Sequence, residues 1–124
     1  MKILIVDDEK DVETLFRQKF RKEIKNKELH LDFAFSGKEA MEILCKKDPP
    51  DVVYVFSDIN MPGMTGLELL EKIKRRFPKI TVSMISAYGD SENYNKAIKS
   101  GAKQFFTKPI NFESLKKEIR QLQN

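Results

Sequence analysis

Cysteine, histidine and long apolar segments are scarce in this sequence. Its 124 residues include one cysteine, Cys45, and one histidine, His30, which lie far apart in the chain and do not indicate a zinc site. A single thiol excludes an internal disulfide framework and is typical of a reducing compartment, so we expect a cytoplasmic protein. No run of about 18 apolar residues occurs, and two aspartates follow the first strand too early for a signal peptide. The sequence therefore predicts no contact with a membrane.

Composition and charge fit one globular domain, which we expect to cover residues 1–124. Apolar residues make up 40% and charged residues 34%, and a chain of this length suits a single core. The net charge is +4, with basic residues concentrated between Arg17 and Lys27 and again at 116–120. We interpret these residues as solvated helix faces, with a surface for acidic partners as the alternative. No recognition-helix or zinc-finger pattern occurs, so we predict no direct contact with nucleic acid.

Apolar periodicity predicts five alternations of strand and helix, with no linker or internal repeat. Short apolar runs indicate strands, and three- and four-residue spacing between them indicates helices. The expected strands are Ile3–Val6, Leu31–Phe35, Val52–Phe56, Ile80–Ile85 and Gln104–Thr107. Such alternation predicts an α/β fold with a doubly wound parallel sheet covered by helices on both faces. Right-handed crossovers favour the five-strand order 2-1-3-4-5.

Capping patterns mark where three of the helices begin. Ser36 with Glu39, and Thr65 with Glu68, have the spacing of a capping box, and Asn111 precedes the last apolar stripe. The first helix is expected to be a single one, with Val12, Leu15, Phe16, Phe20 and Ile24 on its apolar face. The helix after Thr65 is expected to bury Leu67, Leu70, Ile73 and Phe77.

Polar residues follow four of the predicted strands. Asp7 and Asp8 come after the first strand, Asp58 after the third, Ser86 after the fourth and Lys108 after the fifth. The carboxyl ends of parallel strands share one edge of the sheet, and sites in such sheets form there. Alone, Asp7 or Asp8 could be a helix cap, Ser86 a turn residue and Lys108 a surface lysine. Their joint placement favours a functional site.

These residues suit phosphoryl transfer. Carboxylates converging on one crevice repel each other, and a divalent cation removes the repulsion. Oxygen ligands in an open crevice favour Mg²⁺. A carboxylate such as Asp58 can then act as a nucleophile toward phosphorus, while Lys108 and the Ser86 hydroxyl are available for phosphoryl oxygens.

Four segments in order resemble the receiver domains of bacterial two-component response regulators. They are Ile5-Val6-Asp7-Asp8-Glu9, Asp58-Ile59-Asn60-Met61-Pro62-Gly63-Met64-Thr65-Gly66, Ser86-Ala87, and Gly101-Ala102 through Thr107-Lys108-Pro109. The resemblance covers essentially the whole chain and implies a flavodoxin-like (CheY-like) three-layer sandwich.

The resemblance also implies roles for individual residues. Asp58 would accept a phosphoryl group from a sensor histidine kinase or a phosphotransfer protein. Asp8, Asp58 and the backbone carbonyl of Asn60 would bind Mg²⁺, and Asp7 would hold a metal-bound water. Ser86 and Lys108 would bind the phosphoryl group, and Lys108-Pro109 would be a cis peptide. The protein would catalyse only its own phosphorylation and dephosphorylation.

Two aromatic residues occupy positions that such domains use for switching. Phe105 stands at the switch position, where many members have tyrosine, and it lacks the hydroxyl. Tyr88 and Asn60 stand where the family tunes the loss of the phosphoryl group, and Tyr88 either shields the site from water or packs over the rim. We expect phosphorylation to change the surface of the last two helices and the fifth strand, with a homodimer as one outcome.

Two other classes remain as alternatives. One is a scaffold domain that keeps the fold without phosphorylation. The other is a Mg²⁺-dependent phosphatase, which would need an Asp-x-Asp pattern where this chain has Asp7-Asp8-Glu9-Lys10. The sequence leaves open which kinase acts on the chain, what output or effector domain it serves, and whether it is part of a longer regulator.

Overall fold

The computed structural model of the chain describes residues 1–87 and 91–123, and strands and helices alternate along them. The elements are β1 Lys2–Val6, α1 Asp11–Lys19, α2 Arg21–Lys25, β2 His30–Ala34, α3 Gly37–Leu44, β3 Val52–Asp58, α4 Gly66–Arg76, β4 Thr81–Ser86, α5 Ser91–Lys99, β5 Phe105–Thr107 and α6 Phe112–Gln123. Within these ranges, no helix is long and apolar enough to cross a membrane.

The five strands form one parallel sheet in the order β2-β1-β3-β4-β5. Two apolar clusters cover its faces. One cluster includes Ala40 of α3, Leu70 of α4 and Ala97 of α5. The other includes Phe16 of α1 and Leu115 of α6. The predicted three-layer fold and strand order are therefore confirmed.

The helical region after β1 differs from the prediction of one helix. It consists of α1 and α2, and the backbone leaves helical geometry at Phe20, where φ is −104° and ψ is 15°. The Phe20 ring is buried between Phe16, whose ring centroid is 5.9 Å away, and Phe112 of α6 at 6.1 Å. Phe20 packs against these two rings at the junction of α1 and α2. The apolar face predicted for one helix therefore continues from α1 into α2.

Two further sequence predictions are corrected. β3 extends beyond Phe56 to Asp58, because Ser57 and Asp58 pair with Met84 and Ile85 of β4. In α4, Leu69 is fully buried while the predicted Leu67 and Phe77 are only partly buried. The helix lies with Leu69, Leu70 and Ile73 toward the sheet.

Side-chain caps mark the starts of α3, α4 and α6. Thr65 Oγ1 accepts from the Glu68 N–H at 3.2 Å, and Glu68 Oε1 accepts from the Thr65 N–H at 3.2 Å, which confirms this capping box. Ser36 Oγ accepts from the Glu39 N–H, and Asn111 Oδ1 accepts from the Ser114 N–H, each at 3.1 Å. These caps satisfy N–H groups that would otherwise have no partner inside the helix.

Candidate functional site

Three carboxylates meet at the carboxyl edge of the sheet. Asp7 and Asp8 follow β1, and Asp58 is the last residue of β3, which pairs with β1. One carboxylate oxygen from each of the three residues lies within 4.8 Å of the others. Asp7 and Asp58 are buried, whereas Asp8 is exposed. The predicted convergence of these side chains is confirmed, with Asp8 forming the solvent-facing side.

The turn after Asp58 depends on a glycine to which the sequence reasoning assigned no role. The Ile59 N–H donates to the Ile85 carbonyl at 3.1 Å, and the Gly66 N–H donates to the Ile59 carbonyl at 2.7 Å. A Cβ atom on Gly66 would lie 2.0 Å from the Asp58 carbonyl oxygen. Gly66 is the first residue of α4, and glycine is unfavourable within a helix. A glycine at such a position indicates that another backbone segment approaches closely.

Lys108 supplies the positive charge of the site. Its Nζ atom lies 3.1 Å from Asp7 Oδ2 and 3.6 Å from Asp58 Oδ1. Burial of the ammonium acts to lower the pKa of Lys108, but the hydrogen bond to Asp7 and the charge of Asp58 outweigh it and raise that pKa. Lys108 therefore remains charged and offsets part of the carboxylate repulsion.

The Asp58 carboxylate is poorly solvated. Its side chain is 9% exposed. Burial first, and then the charge of Asp7, raise the pKa of Asp58 to about 6, although Lys108 and the Ile59 N–H oppose the shift. An additional cation at this position would relieve both the desolvation and the repulsion.

The donor set fits a hard metal ion. Asp7, Asp8 and Asp58 offer oxygen ligands at mutual distances that one ion can span, so this acidic triad can bind a metal. Asn60, whose carbonyl is the further predicted ligand, is exposed and lies just beyond β3. That the Asn60 carbonyl binds Mg²⁺ remains a prediction.

Ser86 and the cis peptide lie at the same edge. Ser86 is the last residue of β4, is fully buried, and accepts the Lys108 N–H through its carbonyl at 2.9 Å. Lys108-Pro109 is cis, as expected from the resemblance, and Asp48-Pro49 is also cis, which was not expected. The structure thus brings Ser86 beside Lys108, while the contact of its hydroxyl with a phosphoryl group remains a prediction.

The two predicted switch aromatics have different outcomes. Phe105 begins β5, is partly buried and packs edge-on against Tyr94 of α5, with 5.7 Å between the ring centroids. Tyr88 lies outside the described residues. Phe105 is partly buried against Tyr94, and the inward rotation of its ring on phosphorylation remains a prediction.

A groove of about 740 Å³ occurs at the opposite end of the sheet. Its lining includes Val53 near the start of β3 and Phe77 just after α4, and it shares no residue with the acidic edge. The size of a cavity therefore does not locate the site in this fold. The convergence of ionisable side chains locates it.

Comparison with known proteins agrees with the geometry. The family model described as "Response regulator receiver domain" matches residues 3–120. The chain is 37% identical over 120 residues to response regulator protein PilR of Pseudomonas aeruginosa, covering 95% of this chain and 25% of that protein. It is 32% identical over 120 residues to sporulation initiation phosphotransferase F of Bacillus subtilis, covering 96% of this chain and 90% of that protein. A cyclic di-GMP phosphodiesterase of Thermotoga maritima is 33% identical over 119 residues, and the chain spans 30% of its length.

Solved structures give the same result. A CheY-like receiver domain protein from Methanospirillum hungatei superposes with a TM-score of 0.85 at 27% identity, over 97% of this chain and 90% of that one. The response regulator protein TrrA from Thermotoga maritima, solved in complex with Mg(2+)-BeF, superposes with a TM-score of 0.79 at 26% identity, over 98% and 97% of the two chains. With its strand order, its acidic edge and a family match over nearly its whole length, the chain belongs to the response regulator receiver domain family.

Proposed function

We propose that the chain is the phosphoacceptor domain of a two-component signalling system. Asp58 accepts a phosphoryl group from the phosphohistidine of a sensor histidine kinase or a phosphotransfer protein. The observation that carries this proposal is the meeting of Asp7, Asp8, Asp58 and Lys108 at one edge of the sheet. The likeness to sporulation initiation phosphotransferase F, 90% of which the chain spans, supports the choice of partner.

The chemical step is a direct transfer to a carboxylate. An oxygen of ionised Asp58 attacks the phosphorus, the P–N bond of the donor breaks, and its electron pair returns to the imidazole nitrogen. Asp58 is ionised above pH 6, because its pKa is raised to about 6. Its limited solvation means that few waters must leave before the attack.

The surrounding residues bind and orient. Lys108 Nζ lies 3.6 Å from Asp58 Oδ1 and would contact one phosphoryl oxygen. Ser86, at the end of β4, is the candidate donor to another. Asp8 and Asp58, with the Asn60 carbonyl, would hold Mg²⁺, and Asp7 would act through water. When bound, Mg²⁺ would neutralise charge on the carboxylates and on the transferring group.

The catalytic role is limited to the protein itself. The same edge would speed the gain and the loss of its own phosphoryl group, and Tyr88 and Asn60 are the proposed determinants of its lifetime. The relatives do not point to one output for the domain. The chain spans 25% of PilR and 30% of the phosphodiesterase, which are longer proteins, but 90% of the phosphotransferase.

Intact mass spectrometry tests the proposal. The protein is incubated with Mg²⁺ and acetyl phosphate, and one phosphoryl mass should appear. Asp58→Asn should abolish it, because the amide is not a comparable nucleophile. Asp11→Asn is the matched control, since Asp11 is an exposed carboxylate in the first turn of α1 and should leave the added mass in place. Label that persists in Asp58→Asn would contradict the assignment.

A further inference from the structure

A buried polar network joins α6 to the strands beneath the site. We infer that Tyr54, Ser83 and Glu118 couple the phosphorylation site to α6, so that the state of Asp58 reaches this helix through their hydrogen bonds. The inference rests on the proposed function and adds three positioning residues to it. None of the three belongs to the acidic edge itself.

The contacts of the network are specific. The Tyr54 hydroxyl is hydrogen-bonded to Ser83 Oγ and lies 3.3 Å from Glu118 Oε1. The Gln104 N–H donates to Ser83 Oγ at 3.1 Å, and Lys103 Nζ lies 2.8 Å from Glu118 Oε1. Tyr54 and Ser83 are fully buried and Glu118 is 6% exposed. Lys103, at the outer end, is 41% exposed, whereas Tyr54 and Ser83 have no solvent to replace a lost partner.

The donors and acceptors fix its direction. The Tyr54 hydroxyl donates to Glu118 Oε1. The Ser83 oxygen already accepts from the Gln104 N–H, and its own hydroxyl donates to Tyr54. Burial raises the pKa of the Tyr54 phenol, which keeps this donor protonated at neutral pH. The chain thus runs from Gln104 through Ser83 and Tyr54 to Glu118 without an unsatisfied member.

Three of the four strands that lead to site residues are joined by this network, and β1, which leads to Asp7 and Asp8, is not among them. Tyr54 lies in β3, which ends at Asp58, and Ser83 lies in β4, which ends at Ser86. Gln104 directly precedes β5, which leads into Lys108. The network therefore contacts β3 and β4 and the start of β5, which carry or lead to Asp58, Ser86 and Lys108.

A rigid aromatic contact extends the path toward Asp58. Tyr54, Phe56 and Asp58 alternate along β3 and so share one face of the sheet. The rings of Tyr54 and Phe56 are stacked, with centroids 4.2 Å apart and planes 7° from parallel. Phe106 of β5 lies 6.1 Å from Phe56. A shift of β5 relative to β3 cannot be absorbed by loose packing here.

At its other end the network holds α6. Glu118 faces the sheet from this helix, between Leu115 and Ile119 of the same apolar cluster. Lys103 attaches the segment before β5 to the same carboxylate, and its N–H donates to the Val82 carbonyl at 2.8 Å. Displacement of β5 must therefore either carry α6 along or break buried hydrogen bonds, which is unfavourable.

Amide NMR shifts with Mg²⁺ and beryllofluoride test the coupling. In the parent, shifts should appear at site amides such as Ile59 and Gly66 and also along α6. Tyr54→Phe keeps the stacked ring and removes only the hydroxyl, so the site shifts should remain while the α6 shifts fall to about half or less. Ser83→Ala should give the same result, and Glu118→Gln, which keeps an acceptor, should retain more of the α6 response.

Two controls separate coupling from stability. Tyr94→Phe removes the hydroxyl of an exposed tyrosine on α5, and Ile119→Val weakens the packing of α6 without touching the network. Both should keep the full α6 response at a temperature where all variants are folded. Parental α6 shifts in both Tyr54→Phe and Ser83→Ala would overturn the inference. A parent without shifts at the site would instead contradict the proposed function, on which the inference rests.

Discussion

Lys108 Nζ lies 3.6 Å from Asp58 Oδ1, although β4 lies between β3, which ends at Asp58, and β5, which precedes Lys108. The lysine follows β5 and reaches past the end of β4 to the end of β3. It contacts Asp7 by the same reach, at 3.1 Å. The Lys108 ammonium therefore contacts both buried carboxylates, and Lys108 lies between β5 and α6 in the chain.

We predict that Lys108→Ala still accepts a phosphoryl group but does not transmit it. The carboxylates that would bind Mg²⁺ remain, so phosphorylation by acetyl phosphate should slow by about a hundredfold rather than stop. The response should be lost, because no other side chain with a charge links β5 to Asp58 among the described residues. Lys79→Ala, at the other end of the sheet, should behave as the parent. Parental NMR shifts on β5 and α6 of phosphorylated Lys108→Ala would contradict this.

A second prediction concerns pH in the absence of metal. The pKa of Asp58 is about 6 in the folded protein against an ordinary 3.8. Between these values the folded state holds more protons than the unfolded state, so the free energy of unfolding falls as pH rises from about 4 to about 6. At pH 7.5 the ionised carboxylate should therefore cost about 2–3 kcal/mol.

Asp58→Asn removes this cost. In EDTA at pH 7.5 it should be more stable than the parent by about 2–3 kcal/mol. The advantage should vanish near pH 4, where the parent carboxyl is protonated. Urea unfolding followed by far-UV circular dichroism suits a chain without tryptophan. The difference in free energy of unfolding between Asp11→Asn and the parent should depend little on pH. A difference for Asp58→Asn that does not change with pH would contradict the raised pKa of Asp58 as its cause.

Asp8→Ala should remove useful Mg²⁺ binding while leaving the fold intact. Asp8 is the exposed member of the triad, so its loss disturbs no buried packing. Calorimetric titration should show affinity for Mg²⁺ weaker by roughly tenfold or more, with phosphorylation failing in parallel. Unfolding without metal should become slightly harder, because one of three repelling charges is gone. Affinity equal to that of Asp11→Asn would show that Asp8 is not a ligand.

The sequence predicted the features that follow from periodicity and topology. Apolar runs predict β1 to β5, and the rule that parallel strands share their carboxyl edge predicts that Asp7, Asp58 and Lys108 lie together. These features depend on local pattern and on chain direction, both of which a single sequence contains.

Features that depend on one particular three-dimensional contact were missed. The sequence predicts Tyr54 only as part of the strand Val52–Phe56 and assigns no role to Glu118, yet their side chains meet inside the protein. The rotation of α4 that buries Leu69 depends on how the helix lies against the sheet. The close approach at Gly66 likewise arises only when α4 begins against Asp58.

The final prediction concerns association through α5 and β5. Tyr94 and Ile98 of α5 are exposed by 48% and 39%, and the Tyr94 ring rests against Phe105. Inward rotation of Phe105 would remove that support and reshape this face. Burying one ring contributes about 2–3 kcal/mol, whereas a switch from mostly off to mostly on needs about 5.5 kcal/mol. The phosphoryl contacts of Ser86 and Lys108 must supply the difference.

Beryllofluoride should therefore promote self-association through this face. Sedimentation analysis should show a dimer dissociation constant at least about tenfold lower than in the untreated protein, equivalent to about 1.4 kcal/mol. Tyr94→Asp should abolish the effect, while Leu15→Asp, at a residue of α1 that is 38% exposed, should preserve it. A structure of the treated protein should show Phe105 turned inward. An unchanged Phe105 rotamer together with unchanged association would favour a scaffold domain that keeps the fold without using the switch.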